Sequence, residues 1–415
     1  MRTLGEWLAY IERQHPKTIA LGLERVAEVW RRMKVALACP VITVGGTNGK
    51  GSVCAMLESM LRAGGYRTGL YTSPHLERYN ERVRIALVEA SDDALCASFA
   101  AVEAARGDVE LTYFEYGTLG ALSLFARERI EVALLEVGLG GRLDAVNIID
   151  ADCAVLTSVG IDHVDYLGAD RESIGREKAG IFRAGRPAVI AEPDPPRTVL
   201  EAPGAQLLLG RDFGYIDQRS QWTYWGPAGK RAGLAHPALR GAIQLRNAAA
   251  AMCALDCLRE RLPLGMQDVR RGLAEVALAA RFQVLPGRPQ IILDVAHNPQ
   301  AAAVLAENLA ASGYAPETIA VCGMLRDKDV AAVLAVLAPR VTRWHFATLT
   351  GARGALADEL ARHVEGASEC FATPAEAFRA ALERAHEDDK IVVFGSFLTV
   401  GEVLAWLKNN KTSKR

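Results

Sequence analysis

The sequence predicts an α/β fold with a largely parallel sheet, carried on more than one domain. Three observations predict it. Short apolar runs alternate along the chain with longer amphipathic stretches, the pattern of strand–helix units with right-handed crossovers. The apolar runs are continuous rather than alternating in polarity, which suits strands covered on both faces. The chain has 415 residues, and at roughly 150 residues per domain it holds two or three.

The elements follow in order. Val41-Ile42-Thr43-Val44 is the first strand, followed by a Gly-rich turn and a helix from about Gly51 to Ala63. Thr68–Tyr71, Val132–Leu135 and Ala154–Thr157 are further strands. Asp194–Pro237, rich in Pro, Gly and aromatic residues, reads as strands and loops decorating the first domain. Leu285-Pro286-Gly287-Arg288-Pro289 breaks both periodicities just before a fresh strand, so the domain boundary is expected within Phe282–Pro289. Beyond it, Ile291–Asp294, Ile319–Cys322 and Ile391–Phe394 are strands, and Ala301–Ala311 and Pro374–His386 are helices. The polar tail Asn409–Arg415 is expected to fray.

Composition excludes several classes. Half the residues are hydrophobic and 23% are charged, which rules out disorder for the whole. Lys and Arg number 48 against 49 Asp and Glu, a net charge of -1. That balance argues against nucleic-acid or membrane-surface binding through bulk charge. No apolar run reaches the roughly 18 residues needed to cross a bilayer. Met1-Arg2-Thr3-Leu4-Gly5-Glu6-Trp7 carries an early acid and no long apolar core, so no secretory signal is expected. The eight cysteines include no C-x-x-C pair, and Cys39, Cys54, Cys153, Cys253 and Cys322 read as buried reduced thiols. A cytoplasmic enzyme is the expectation.

Chemistry concentrates just beyond the strands. Val44-Gly45-Gly46-Thr47-Asn48-Gly49-Lys50-Gly51-Ser52 links a strand to a helix. Glycines let backbone N–H groups wrap phosphate oxygens, and the helix N-terminus adds partial positive charge. Lys50 would neutralise the phosphates. The segment departs from the Walker A template: Val44 stands at its first glycine and Gly51 at its hydroxyl. Tyr71-Thr72-Ser73-Pro74-His75-Leu76 places Ser73 and His75 beyond the next strand, although Ser-Pro alone is also a turn signal. Glu136 ends a buried apolar run, where an unpaired carboxylate is costly. It calls for a partner, either a divalent cation or Arg142 nearby in Glu136–Asp144. Asp162, His163 and Asp165 follow the fourth strand as an oxygen and nitrogen cluster for metal or phosphate. In a parallel sheet these strand ends open on one edge, so four separate segments become one magnesium–nucleotide site.

Other positions are less decided. Lys178, in the helical stretch Arg176–Phe182, reads from local sequence as a solvated lysine. Asp294 and His297 repeat the strand-then-polar pattern in the second half, with Arg281 beside the proposed linker as a phosphate clamp. Asn247 begins a helix, where it either hydrogen-bonds a base or ribose or caps the helix.

Several of these segments resemble a known family. Gly46–Ser52, Ser73–Leu76, Glu136–Asp144 and Asp294–Pro299 resemble folylpolyglutamate synthases of the Mur ligase superfamily. Thr18–Val26, Leu111–Thr118 and Arg171–Phe182 bring the chain closer to the bacterial bifunctional dihydrofolate synthase/folylpolyglutamate synthases. The resemblance implies an N-terminal P-loop-type parallel-sheet ATPase domain, residues 1–284, that binds ATP and pterin. It implies a smaller C-terminal Rossmann-like glutamate-ligase domain, residues 285–415, with ATP held between the two. Carried over by position, Thr47, Asn48, Gly49 and Lys50 bind ATP phosphates, and Ser73, Glu136 and His163 hold Mg²⁺. Asn247, Arg281 and Asp294 contact nucleotide, with His297 close by. Lys178 matches a lysine that is carbamylated in the family, and a second Mg²⁺ is expected near it and His163. Ala20, Leu21, Gly22 and Leu23, with Thr112, Tyr113, Phe114 and Glu115 and with Leu143, Asp144 and Ala145, match the pterin-side pocket. The departures are small. Ala20 stands where an acid can occur, and Asp294-Val295-Ala296 replaces a common Asp-Gly-Ala.

The implied activity is ATP-dependent addition of L-glutamate to dihydropteroate and to reduced folates, through an acyl phosphate. Lys50, Lys178, His163 and His297 are the expected catalytic set, and a monomer is the expected state. A monofunctional folylpolyglutamate synthase, another Mur-type amino-acid ligase and a non-catalytic nucleotide switch are the alternatives.

Overall fold

In the computed structural model, residues 2–15 and 19–412 are described, with side chains through 410. Thr18, part of the resembling Thr18–Val26 stretch, and the tail from 413 lie outside the described residues. The chain divides into two compact units, Met1–Ala238 with Leu245–Val276, and Leu239–Gln244 with Ala277–Arg415.

The first unit is built on an eight-stranded sheet. Its strands are β1 (Val41–Gly45), β2 (Thr68–Tyr71), β3 (Val83–Ile85), β4 (Val88–Glu89), β5 (Val132–Glu136), β6 (Cys153–Leu156), β7 (Pro187–Ile190) and β8 (Ala205–Leu208), ordered β4-β3-β2-β5-β1-β6-β7-β8. From β2 through β8 the pairings are parallel. At the edge the pairings are antiparallel, β2 with β3 and β3 with β4, the last two forming a hairpin. Every residue of β1, β2, β5 and β6 is buried, which is why those runs are continuously apolar. Helix Lys50–Ala63 is buried on all sides from Ser52 to Leu61. Helix Met266–Glu275 approaches it so closely that a Cβ on Gly272 would meet Met60 Cα at 2.4 Å. The Ser59 hydroxyl donates to the Gly272 carbonyl there, at 2.7 Å.

Asp194–Pro237 does decorate this unit. It supplies β8 and a separate antiparallel sheet of β9 (Gly214–Gln218), β10 (Gln221–Gly226) and β11 (Gly229–Leu234).

The second unit is a six-stranded sheet of β12 (Gln283–Leu285), β13 (Gln290–Leu293), β14 (Thr318–Cys322), β15 (Arg343–Ala347), β16 (Ser368–Phe371) and β17 (Lys390–Phe394), ordered β12-β13-β17-β14-β15-β16. Only β12 is antiparallel. Leu285–Pro289 does precede a fresh strand, β13, while Gln283–Leu285 is itself a strand of this second sheet. The expected fraying is corrected for the first part of the tail, since helix Phe397–Thr412 includes Asn409–Thr412; residues 413–415 lie outside the described residues. All eight cysteines are free thiols, and the five expected to be buried are buried.

Candidate active site

The register of the first sheet places its polar loops side by side. Val44 lies opposite Glu136, Tyr71 opposite Leu135, and Gly45 opposite Leu156. The loops after β1, β2, β5 and β6 therefore leave one edge at the same level, where ligands bind in such sheets.

The loop after β1 is held by the loop after β6. Gly46 has φ +144°, and a Cβ there would sit 2.0 Å from Thr157 Oγ1. Thr157 Oγ1 donates to the Asn48 carbonyl at 2.7 Å, and Asn48 N–H donates to Ser158 Oγ at 2.9 Å. Thr47 Oγ1 accepts from Gly160 N–H at 2.9 Å. Gly49 caps helix Lys50–Ala63 in the left-handed region at φ +92°, with a would-be Cβ 2.9 Å from Asn247 Oδ1. Asn247 is thus set against the glycine loop from the start of helix Ile243–Cys257. Lys50 Nζ folds back onto the carbonyls of Gly46 and Thr47, at 3.0 and 3.1 Å. The parts of a phosphate cradle are present: glycines, a helix N-terminus and a tethered ammonium.

Glu136 closes β5, buried. The Thr72 hydroxyl and the Ser73 N–H, the latter at 3.4 Å, donate to its Oε2. Arg142 does not pair with it. That guanidinium instead holds Glu177 at 2.9 Å, and no cation pairs with Glu136 among the described residues. A buried carboxylate with donors on one oxygen only and no counter-charge has the chemistry of a divalent-cation ligand. Ser73 is brought to it directly. His163 lies in the loop after β6 with a left-handed backbone at φ 53°, and its N–H donates to Asp162 Oδ1 at 2.9 Å.

Lys178 is not the solvated lysine of the local reading. It is buried near the end of helix Arg171–Ala179. The cause is tertiary. Gly141 lies so close that a Cβ would meet the carbonyls of Glu177 and Lys178, each at 2.8 Å, and Arg142 N–H donates to the Glu177 carbonyl. The loop after β5 thus covers the end of the helix. Burial, and then the Lys50 charge, push the Lys178 amine down to about 7, with Asp162 and Asp144 opposing. Asp144, also buried, is pushed up to about 6 by burial, against N–H donation from Leu139 and Val146.

The three segments matched to a pterin-side pocket meet. Gly22 N–H donates to the Leu143 carbonyl at 3.4 Å, joining the first segment to the third. Thr112 and Glu115 form a capping box at the start of helix Tyr113–Arg127. The Phe114 ring lies against Gly138, whose Cβ would meet it at 2.5 Å, and 5.8 Å from the Tyr71 ring. The Tyr113 ring lies under the Arg82 guanidinium. Beside it His75 Nδ1 accepts from Arg82 at 2.8 Å, and burial with that positive charge pushes His75 down to about 4.

In the second unit, Asp294 accepts N–H groups of Phe282 and Ala296, each at 2.8 Å. Burial pushes its carboxyl up, partly offset by the Phe282 N–H and then by Arg281. Arg281 lies 5.2 Å over the Phe397 ring, and His297, 6.4 Å from the same ring, is held through Nδ1 to the Val295 carbonyl. Arg281, Asp294 and His297 therefore form one cluster at the carboxyl end of β13.

Sequence reasoning did not assign Thr157 and Ser158 their work as staples of the glycine loop. The usable signal was two adjacent hydroxyl residues at a strand's carboxyl end.

Comparison with known proteins places the chain in a family. Residues 44–255 match the Mur ligase middle domain, and residues 280–397 the Mur ligase glutamate ligase domain. The dihydrofolate synthase/folylpolyglutamate synthase of Escherichia coli is 47% identical over 97% of this chain and 94% of its own length. The chain belongs to the dihydrofolate synthase/folylpolyglutamate synthase family of Mur ligases. The Haemophilus influenzae member is 42% identical over 97% of both chains. Among solved structures, E. coli FolC in complex with DHPP and ADP superposes with a TM-score of 0.95 at 46% identity, covering 99% of both chains. A bifunctional family member with Mn, AMPPNP and L-glutamate bound superposes with a TM-score of 0.91 at 45% identity, covering 98% of both.

Proposed function

We propose that this chain is an ATP-dependent ligase. It adds L-glutamate to dihydropteroate, forming dihydrofolate, and to reduced folates, forming polyglutamates. The observation that carries the reading is one sheet edge holding a stapled glycine loop with Lys50, the buried and cation-free Glu136, and the buried Lys178. The ligands of the related structures support it: a nucleotide, a divalent cation, DHPP and L-glutamate.

A carboxylate is a poor electrophile toward an amine. In the proposed reaction its oxygen attacks the γ-phosphorus of ATP, the bond to the ADP oxygen breaks, and an acyl phosphate forms. The glutamate amine then attacks the acyl carbon, the carbon–oxygen bond to phosphate breaks, and the amine loses a proton. Thr47, Asn48 and Gly49 present the loop to the phosphates, and Lys50 leaves the carbonyls of Gly46 and Thr47 to neutralise them. Ser73, Glu136 and His163 are the residues that would hold Mg²⁺, which supplies charge neutralisation on the transferring phosphoryl group. Lys178, at about 7, holds much of its amine in the neutral form near pH 7. That is the form CO₂ carbamylates, and the product is an anionic oxygen donor on a long stem beside the phosphate loop. Asn247, Arg281 and Asp294 are assigned to the nucleotide, with His297 beside them. We assign the unit that ends at Val276 to ATP and pterin binding and the unit that continues from Ala277 to the glutamate-ligase part, in a cytoplasmic monomer. Among the described residues no helix is long and apolar enough to cross a membrane.

The test offers dihydropteroate or tetrahydrofolate with ATP and labelled glutamate and identifies products by mass. Glutamylation of both is expected, with ATP hydrolysis appearing only when acceptor and glutamate are both present. Product from tetrahydrofolate alone would reduce the chain to a monofunctional synthase. Acceptor-independent hydrolysis would point to a nucleotide switch.

A further inference from the structure

Arg25 sits in the first turn of helix Glu24–Met33, directly after the Ala20–Leu23 segment. One guanidinium nitrogen, Nη2, donates both to the Ala20 carbonyl at 2.7 Å and to Glu115 Oε1 at 2.8 Å. Its Nε adds a longer contact to Glu115 Oε2 at 3.4 Å. Glu115 is almost fully buried, its side chain 4% exposed, and its Oε2 also accepts the Thr112 N–H at 2.8 Å. Ninety residues separate the partners in sequence. The first segment is further tied to the third by Gly22 N–H on the Leu143 carbonyl. Gly22 itself is at φ +147°, where a Cβ would meet Glu24 Oε2 at 2.9 Å, so the segment turns tightly into the helix that carries Arg25. That helix has no side-chain cap of its own at Leu23. What fixes its entry is the Arg25 fork.

We propose that Arg25 is the positioning residue of the pteroate side of the site. It sets the Ala20–Leu23 strap at a fixed distance from helix Tyr113–Arg127 and so sets the width of the pocket between them. The proposal rests on the reading that these segments take the pterin-bearing substrate. A planar guanidinium suits the role because its donors diverge in one plane, toward a carboxylate on one side and a carbonyl on the other. A lysine ammonium is a single point charge and does not hold both acceptors in register. Arg25 touches none of the phosphate-loop residues, so its removal acts on one substrate only.

The experiment compares wild type, Arg25→Ala, Arg25→Lys and Arg106→Ala in the full chain. Arg106 is a control for general destabilisation in the same unit: its guanidinium binds Glu103 and the Tyr10 hydroxyl at 2.8 and 2.9 Å, and takes no part in the bonds between Arg25, Ala20 and Glu115. Steady-state rates are measured against dihydropteroate and against ATP, with direct titration of dihydropteroate in the presence of ADP. Expected is a KM and Kd for dihydropteroate raised at least tenfold in Arg25→Ala and at least threefold in Arg25→Lys. ATP KM should be unchanged and kcat at saturation within twofold. Arg106→Ala should lose melting temperature but keep the dihydropteroate KM. Should Arg25→Ala fail to fold, Arg25→Lys, which keeps the charge opposite Glu115, carries the test. A folded Arg25→Lys with wild-type dihydropteroate KM, or an equal KM rise in Arg106→Ala, overturns the proposal. Wild type that neither binds nor turns over dihydropteroate overturns instead the reading beneath it.

Discussion

The buried Lys178 amine lies within electrostatic reach of the Lys50 ammonium, and each positive charge opposes the other. Burial is the larger cause, and together they bring Lys178 down to about 7. Unfolded, a lysine binds its proton up to about pH 10.4. Between these values the unfolded chain holds a proton that the native chain lacks, so stability rises with pH across that window. Below about 7 the native lysine is charged and buried, and the penalty is fully present. The slope reaches about 1.4 kcal/mol per pH unit. In CO₂-free buffer, wild type should gain stability relative to Lys178→Met by about 1 kcal/mol between pH 8 and 9. Urea unfolding at each pH measures it, and parallel curves for the two proteins would refute the buried neutral amine.

Lys50→Ala should keep the fold and lose ligation. Among the described residues the Nζ bonds to carbonyls of its own loop, at 3.0 and 3.1 Å, and the staples from Thr157 and Ser158 do not use it. Removing a charge aimed at a developing phosphoryl charge costs roughly 10²–10³ in turnover. A melting temperature within a few degrees of wild type, with kcat at least a hundredfold down, is the expected pair. Near-normal turnover would remove the phosphate-loop reading. The same variant frees Lys178 of its like-charged neighbour, so the Lys178 titration should move upward.

These two lysines also mark the limit of what the sequence made legible. Lys50 could be placed because its setting is local: strand, glycines, lysine and helix occur in order within ten residues. Glu136 and the loop after β6 followed from the parallel sheet, since continuous apolar runs end where polar clusters begin. Lys178 was illegible as a buried group. Its burial depends on Gly141 lying against the Glu177 and Lys178 carbonyls, a contact between segments far apart in the chain. The edge hairpin of β3 and β4 escaped notice for another reason: three and two residues, one strand holding Arg84 and the other exposed, carry no apolar run to read. Glu115 was placed at the pocket by resemblance alone and Arg25 was not singled out; only the fold joins them.

Gly46→Ala should damage the nucleotide site without touching a ligand. At φ +144° an L side chain is strained, and its Cβ would occupy the space of Thr157 Oγ1, with the Ser158 backbone N only 3.0 Å away. The loop must move off its staples. ADP affinity, by isothermal titration, should fall at least tenfold, and the Thr157→Ala, Gly46→Ala double variant should regain little because the backbone contact remains. Wild-type ADP affinity in Gly46→Ala would show that the stapled geometry is not needed for binding.

Glu136→Gln separates charge from hydrogen bonding. The Thr72 hydroxyl and Ser73 N–H donate to one carboxylate oxygen, and a glutamine carbonyl accepts both. What the substitution removes is a buried negative charge with no cationic partner among the described residues. Without a divalent cation that charge is a burden, so the metal-free variant should melt above metal-free wild type. With Mg²⁺ the order should reverse. Wild type gains stability by binding the ion to its native state, and the variant gains little. The half-saturating Mg²⁺ concentration for ligation should rise at least tenfold in the variant, alongside a strong loss of turnover. An unshifted Mg²⁺ requirement, with equal Mg²⁺-induced stabilisation of both proteins, would mean that the lone carboxylate at the end of β5 holds no cation.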